Sequence, residues 1–569
     1  MVPLLISTDR TQVTLFGNKT VYPLYLTIGN IPKDIRRKPS CYAQMVLAYL
    51  PTSYLKHVTS DVSRRRTVNN LFHSCLGEIL GPIRRAAVEG VLMKDGSGVL
   101  RRCHPMLASY TADYPEQVMV TGTKTKDCPK CNIPSEKMGD LSAPYELRDI
   151  EAILNAFALV NLDPRLFRET CNNLRIKPIF HPFFERLPYL NIYQAITPDI
   201  LHQLHQGILR HLLSWLVQAY GANEINSCCK RIIPNHHIRI FSSGITGLSR
   251  VTGKEHDLIG RIILGVIIGA RLPNDLDPSR MVRAIRAFLD FMYLARLPIQ
   301  SSKTLDLLDK ALQAFHDNIK IFVDLGIRTN FNIPKLHSCR HYKPSIKLFG
   351  STDNYDTQYT EGLHRPFAKN LYRATNKKDE LPQMTSLLER LEQVHQHTGY
   401  IHWREQGTIR TTKRDPIPTL TPHRRIKMTK RPSARSVSIE QLETDYGASQ
   451  FREAFARFVV QWQRPTIRQA HLNYEVQGVH LPFISVSTYH RIKFLQAGAN
   501  GDQESVADII HIQPARVVSR HHNASPKTIN GRFDTVLVHS GKERDTGVQG
   551  ELMLLSAAYQ LLTAHQLTV

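Results

Sequence analysis

No stretch of the chain approaches the ~20 consecutive apolar residues that a bilayer-spanning helix needs, so the sequence offers no helical membrane anchor. The opening Met1-Val2-Pro3-Leu4 lacks the basic and apolar regions of a secretory leader, and an acid follows at Asp9. Cysteine is scarce: nine residues, odd in number and unevenly spaced, argue against a disulfide framework and for a reducing compartment. No phosphate-cradling glycine loop is present, because Gly260, Gly265 and Gly269 sit in an apolar helical pattern. Acid is short as well. Against 73 Lys and Arg stand 49 Asp and Glu, giving a net charge of +24 and a pI near 9.7. That balance points to a polyanionic partner, most economically nucleic acid, although a basic ribosomal or chromatin protein would share it. With 569 residues and 42% hydrophobic content, the chain has room for several domains with real cores.

The apolar runs that do exist end in acids. Residues 2–8 read as a buried strand closing on Asp9, and Met106 to Ala112 reads as another closing on Asp113. Between them, Thr14 to Phe16 and Val21 to Ile28 alternate like a hairpin around Gly17-Asn18-Lys19, and Tyr42 to Leu50 suits a further strand. Residues 67–89 have helical spacing, with Val68, Leu71, Leu76, Ile79, Leu80 and Ile83 on one face. Strand, strand, strand, helix, strand, with acids ending the first and fourth strands, is the layout of a ribonuclease-H-like core. A third carboxylate, Glu361, opens a basic amphipathic helix running to Ala374. Two strand-end aspartates and a helix-borne glutamate are the parts of a two-metal phosphoryl-transfer site. Asp9, Asp113 and Glu361 are therefore expected to converge round two ions ~4 Å apart.

The spacing Cys128-Pro129-Lys130-Cys131 suits one tetrahedral zinc, though two structural thiols would look the same. The remaining ligands are sought in Asp199-Ile200-Leu201-His202-Gln203-Leu204-His205, with His202 and His205 the first choices and Cys103 a weaker one. A histidine capping a helix or pairing with a local carboxylate is the plainer alternative. Asp199 is also a rival for the second catalytic acid. Helical periodicity dominates residues 145–345, at Leu147 to Leu159, Ile200 to Tyr220, His256 to Ala270, Arg280 to Leu294 and Thr304 to Leu325. Cys228-Cys229 reads as structural. Residues 404–437 form a basic stretch, with Arg424-Arg425-Ile426-Lys427 and Lys430-Arg431-Pro432 suited to phosphate contact or nuclear import. A solvated linker is equally consistent with it. A separate α+β region, 438–569, follows.

Several longer segments resemble the Plavaka transposases, fungal DNA transposases related to the CACTA group. They are Asp9-Arg10-Thr11-Gln12, Tyr22 to Pro32, Ile35-Arg36-Arg37-Lys38-Pro39-Ser40, Thr111-Ala112-Asp113-Tyr114-Pro115-Glu116 with the Cys128/Cys131 pair, Thr197 to Gly207, and Thr360-Glu361-Gly362-Leu363-His364 through Lys377. They occur in one order and cover about residues 1–400. The resemblance implies a DDE transposase: a ribonuclease-H-like core (1–134, completed by 346–403) interrupted by a helical insertion (135–345), then the basic linker and the small C-terminal region. It implies Asp9, Asp113 and Glu361 as ligands of Mg²⁺ or Mn²⁺, and a structural Zn²⁺. It also implies double-stranded DNA, both transposon ends and target, as partner, and a nuclear location. Homo-oligomerisation stays open. Arg36, Arg37, Lys38, Arg365, Lys369, Arg373, Lys377, Lys378, Arg424 and Arg425 are the expected DNA contacts. Family members carry a zinc-binding N-terminal part ahead of the first catalytic strand, so a truncated catalytic region is expected. The alternative is an inactive or host-adopted relic that binds nucleic acid without turnover.

Overall fold

The most apolar run near the start of the chain becomes the central strand of its main sheet. The computed structural model describes residues 1–406 apart from 15–18, 54, 96–97, 233–238, 240, 250 and 274–275. Further on it describes 425–428, 431–464, 466–497, 504–518, 527–529, 532–533, 536–538 and 553–555. Strand β1 (Val2–Thr8) lies between β2 (Pro23–Ile28) and β4 (Pro105–Thr111), and β3 (Met45–Tyr49) completes the order β3-β2-β1-β4. β2 runs antiparallel to β1 and to β3, whereas β4 runs parallel to β1. The parallel pair needs a crossover. It is supplied by α1 (Asp61–Ile79), N-capped by Ser60, and α2 (Gly81–Glu89). Phe72, Leu76 and Leu80 from this crossover bury against Ile6, Leu24, Leu107 and Tyr110 of the sheet. Each such side chain contributes ~1.5–3 kcal/mol by leaving water.

Most of the turn expected at Gly17-Asn18-Lys19 and of the strand expected at Thr14 to Phe16 lies outside the described residues, and the local pairing joins Thr11–Gln12 to Thr20–Val21. A two-stranded ribbon, Val91–Lys94 with Leu100–Cys103, precedes β4 and was not legible as strand, since its residues are mostly solvent-exposed.

After α3 (Tyr114–Val120) the chain becomes helical. α4 (Ile150–Ala158) is capped by Asp149, and α5 (Pro164–Asn173) by Asp163 with Pro164 in its first turn. α6 (Ile200–Leu209) winds as a wide π-type helix and continues into α7 (Arg210–Tyr220). α8 (Gly253–Ile267) opens with a Thr252/Glu255 capping box, and α9 (Pro278–Ala295) packs along α10 (Ser302–Ile319). Short α11 (Pro334–His337) and α12 (Tyr342–Phe349) lead to α13 (Thr357–His364). Glu361 does not open that helix: Asp356 caps it, and Glu361 lies one turn inside. The helix then widens into a π-type segment, Arg365–Asn370, where Pro366 supplies no N–H to a regular turn. Leu371–Ala374 and the long Glu380–Gln406 helix complete this unit, which comprises residues 1–232 and 241–402.

The second unit holds 233–240 and 403–569. Part of the expected linker is sheet: Arg425–Met428 pairs with Arg491–Ala497, which pairs with Glu504–Gln513. Arg424 and most of the basic stretch lie outside the described residues. A helical pair, Phe451–Gln463 and Gln469–Gln477, buries Ala456, Val460, Leu472 and Val476. Among the described residues no helix is long and apolar enough to cross a membrane.

Candidate active site and metal cluster

Parallel pairing of β1 with β4 sets the first two acids side by side. Ser7 pairs with Thr111, and two residues further along each chain lie Asp9 and Asp113. Asp113 caps α3, its Oδ1 accepting the Glu116 N–H at 2.9 Å. Burial holds the Asp113 carboxyl above its usual range, with Asp9 and Asp199 adding to the effect and the capping hydrogen bond opposing it.

Glu361 reaches the same edge through a histidine. His202 donates from Nε2 to Glu361 Oε1 at 3.1 Å and from Nδ1 to Asp199 Oδ2 at 2.8 Å. Burial alone would lower the His202 pKa; its bonds to Asp199 and Glu361 outweigh that and raise it to about 11. It is therefore an imidazolium between two carboxylates. One turn beyond Glu361, on the same helix face, His364 donates from Nε2 to Asp9 Oδ2 at 3.0 Å. Its Nδ1 sits 3.0 Å from the Tyr25 hydroxyl.

The bonding of the individual oxygens separates the four acids. Asp9 has Oδ2 held by His364, Asp113 has Oδ1 held by the Glu116 N–H, and Glu361 has Oε1 held by His202. Among the described residues, the other oxygen of each accepts nothing. Asp199 is different. It is fully buried, with Oδ1 taking Thr357 Oγ1 (2.7 Å) and the Leu201 and Thr357 N–H groups, and Oδ2 taking the His202 N–H (2.7 Å) and ring. Those bonds turn the burial penalty around and leave its pKa lowered. Asp199 is thus an anchor for His202, with no oxygen left for a metal. Gly207 is required nearby, since a Cβ there would lie 2.7 Å from the His202 carbonyl oxygen.

Oxygen donors suit a hard divalent cation, so the three half-free carboxylates fit one chemically. Among the described residues, the one group of three or more metal-ligating residues with ligand atoms all within 4.8 Å of one another is Cys128, Cys131, His337 and His341.

That group corrects the expected zinc ligands. Cys128 Sγ lies 3.3 Å from His341 Nε2, and Cys131 Sγ lies 3.1 Å from His337 Nε2, all four buried. Contacts with Cys131, His341 and His337 overcome the burial penalty and pull the Cys128 thiol well below its ordinary range. His202 is committed to carboxylates, and His205 is buried beside the Asp257–Arg296 pair, its pKa lowered to about 4, mainly by burial. Neither joins the cysteines, and Cys103 does not either. The missed signal was His337 and His341 themselves, one helical turn apart, the spacing that puts two imidazoles on one face.

The expected DNA contacts divide. Arg36 is buried, donating to Asn354 Oδ1 (2.6 Å) and the Ile31 carbonyl, and so serves the fold. Arg37 is exposed 3.5 Å from Asp353, and Lys38 is exposed. Arg365, Arg373, Lys377 and Lys378 are exposed and Lys369 half-buried; among the described residues none of the five is in an ion pair. Arg425 is in a strand, its side chain outside the description, as is all of Arg424.

Replacing His202 by Ala should cost about 3 kcal/mol, because it leaves Asp199 buried without its cation. A group whose pKa is raised on folding stabilises fully below its unfolded pKa and loses that contribution as pH rises through the folded value. The difference between wild type and His202→Ala in denaturant melts should therefore be full at pH 6 and shrink towards pH 11. An undiminished difference at pH 10.5 would contradict the imidazolium assignment.

Residues 1–216 match the family model described as Plavaka transposase. No curated protein matches the chain.

Proposed function

We propose that the protein is a DDE-type DNA transposase, cutting and joining DNA strands with Asp9, Asp113 and Glu361 as metal ligands. The observation that carries this reading is the half-held state of those three carboxylates, each fixed by a donor from the fold and each keeping one oxygen for a ligand. Asp113, and not Asp199, is the second acid, because every oxygen of Asp199 is already occupied. The sheet order, with acids ending adjacent parallel strands, supports a ribonuclease-H-like core. Bound there, Mg²⁺ or Mn²⁺ supplies Lewis acidity to the attacking water or DNA 3′-hydroxyl and to the leaving oxygen. The chain's own part is orientation: His364 and His202 stop Asp9 and Glu361 from rotating, and the α3 cap does the same for Asp113. The Cys128/Cys131/His337/His341 set is read as a closed Cys₂His₂ zinc site, which holds structure together and has no position left for a substrate. The partner is double-stranded DNA, and a nuclear location follows from that role. A strand cleavage and transfer assay on the element's own ends with Mg²⁺ tests the reading. DNA bound but neither cut nor joined would favour the inactive relic.

DNA passing the acids would next meet Arg365, Lys369, Arg373, Lys377 and Lys378. Alanine at Lys369, Arg373 and Lys377 together should weaken duplex binding for all sequences. It should also flatten the log–log salt slope by about 2.7, since each phosphate contact contributes ~0.9. An unchanged slope in a salt titration would make this helix a solvated face.

A further inference from the structure

A cleft of about 380 Å³ lies away from the acids' own side chains, lined by Arg66 of α1, Asn161, Pro164, Phe167 and Arg168 of α5, and the loop Pro178, Phe180 and His181. Three observations point to a ligand. Arg66 and Arg168 both line it, and among the described residues neither guanidinium makes a hydrogen bond or ion pair. Phe180 packs on buried Phe167 with ring centroids 6.1 Å apart, yet it stays 45% exposed. The loop that presents this ring is held out against its own backbone preference. His181 has φ of 50°, a left-handed conformation that costs a non-glycine residue, while Asn70 Oδ1 accepts the Phe180 N–H at 3.0 Å.

A flat apolar ring beside unpaired guanidinium groups matches a nucleotide, with a base for the ring and a phosphate for the cations. The volume falls within the ~300–1,000 Å³ of small-ligand sites. The chain leading into α1 is tied at Thr52 to Arg10, the residue after Asp9, by a 2.7 Å bond, and Arg66 lies early in that helix. We propose that this cleft holds one unstacked nucleotide of single-stranded DNA, its base on Phe180 and its phosphates on Arg66 and Arg168. The inference rests on the DNA-processing reading, but it concerns a different surface.

Binding of a labelled short oligothymidylate to the full chain, without added Mg²⁺, tests it by fluorescence anisotropy. Phe180→Ala should weaken that binding about 5- to 150-fold while duplex affinity stays within about twofold, and Phe180→Trp should retain it. Arg66→Ala with Arg168→Ala should flatten the salt slope by about 1.4, at ~0.7 per single-strand phosphate. Melting curves of each variant confirm folding. Unchanged oligonucleotide binding in both variants would overturn the proposal. So would equal losses for duplex and single strand, which mark a general basic face. Free thymidine monophosphate competing as well as the oligonucleotide would overturn the assignment to a strand and make the cleft a mononucleotide site. Asp9→Asn should bind the oligonucleotide normally, so loss of cleavage and loss of this contact are read separately.

Discussion

Asp9→Asn, Asp113→Asn and Glu361→Gln should each reduce Mg²⁺-dependent DNA cleavage by at least about 10³-fold, with thermal stability nearly unchanged. The magnitude follows from the several kcal/mol that a bound metal contributes to the transition state, at 1.36 kcal/mol for each factor of ten. The amides keep shape and accept the same single hydrogen bond from His364, Glu116 or His202, but each removes the charge that would hold the ion. Titration with Mn²⁺ should show the same loss of affinity, independent of turnover. Asp199→Asn makes the contrast. It removes the anion opposite His202 in a fully buried position, so it should lower the melting temperature first and activity only as a consequence. A folded, inactive Asp199→Asn beside a fully active Asp113→Asn would reverse the assignment of the second acid.

The second large effect concerns the Cys₂His₂ cluster. Purified protein should carry one zinc per chain, and its removal, or Cys128→Ser or His341→Ala, should cost about 3–5 kcal/mol. The site joins the turn after α3 to the α11–α12 segment some two hundred residues later, with few other buried groups in its small apolar shell of Ile133, Met138, Ala143 and Tyr145. The cost should be felt across the first unit, because Lys335 and His337 share α11 and Lys335 borders Gly207 of α6, the helix that carries His202. Apo protein with an unchanged melting curve would leave the cluster without a structural role, whatever metal it binds. His202→Ala should leave zinc content unaltered, which separates the corrected ligand set from the expected one.

Local pattern made some of the site legible. Two apolar runs ending in Asp9 and Asp113 announce buried strands with an acid at the open end, because burial demands apolar side chains and a strand end frees the next residue for chemistry. Glu361 stood out as an acid within a basic helical segment. The ribbon at 91–103 did not show, since exposed strands carry no burial periodicity. The histidine partners of Cys128 and Cys131 did not show for a related reason. Asp199, His202 and His205 have a spacing as suggestive as that of His337 and His341, and periodicity alone does not say which face meets Cys128. Arg36, Arg37 and Lys38 likewise look alike in sequence, yet only Arg36 is turned inward to Asn354.

The sequence by itself determined the basic charge, the match of residues 1–216 to the Plavaka transposase model, and the two acids at the ends of apolar runs. These depend on composition and on neighbours within a few residues. Only the tertiary structure decided which imidazole meets which carboxylate or thiol: His202 with Asp199 and Glu361, His364 with Asp9, His337 and His341 with Cys131 and Cys128. Such pairings are settled by the packing of helices hundreds of residues apart. A buried histidine can pair only with what that packing leaves within hydrogen-bonding reach, and each such bond offsets part of the cost of taking the ring out of water.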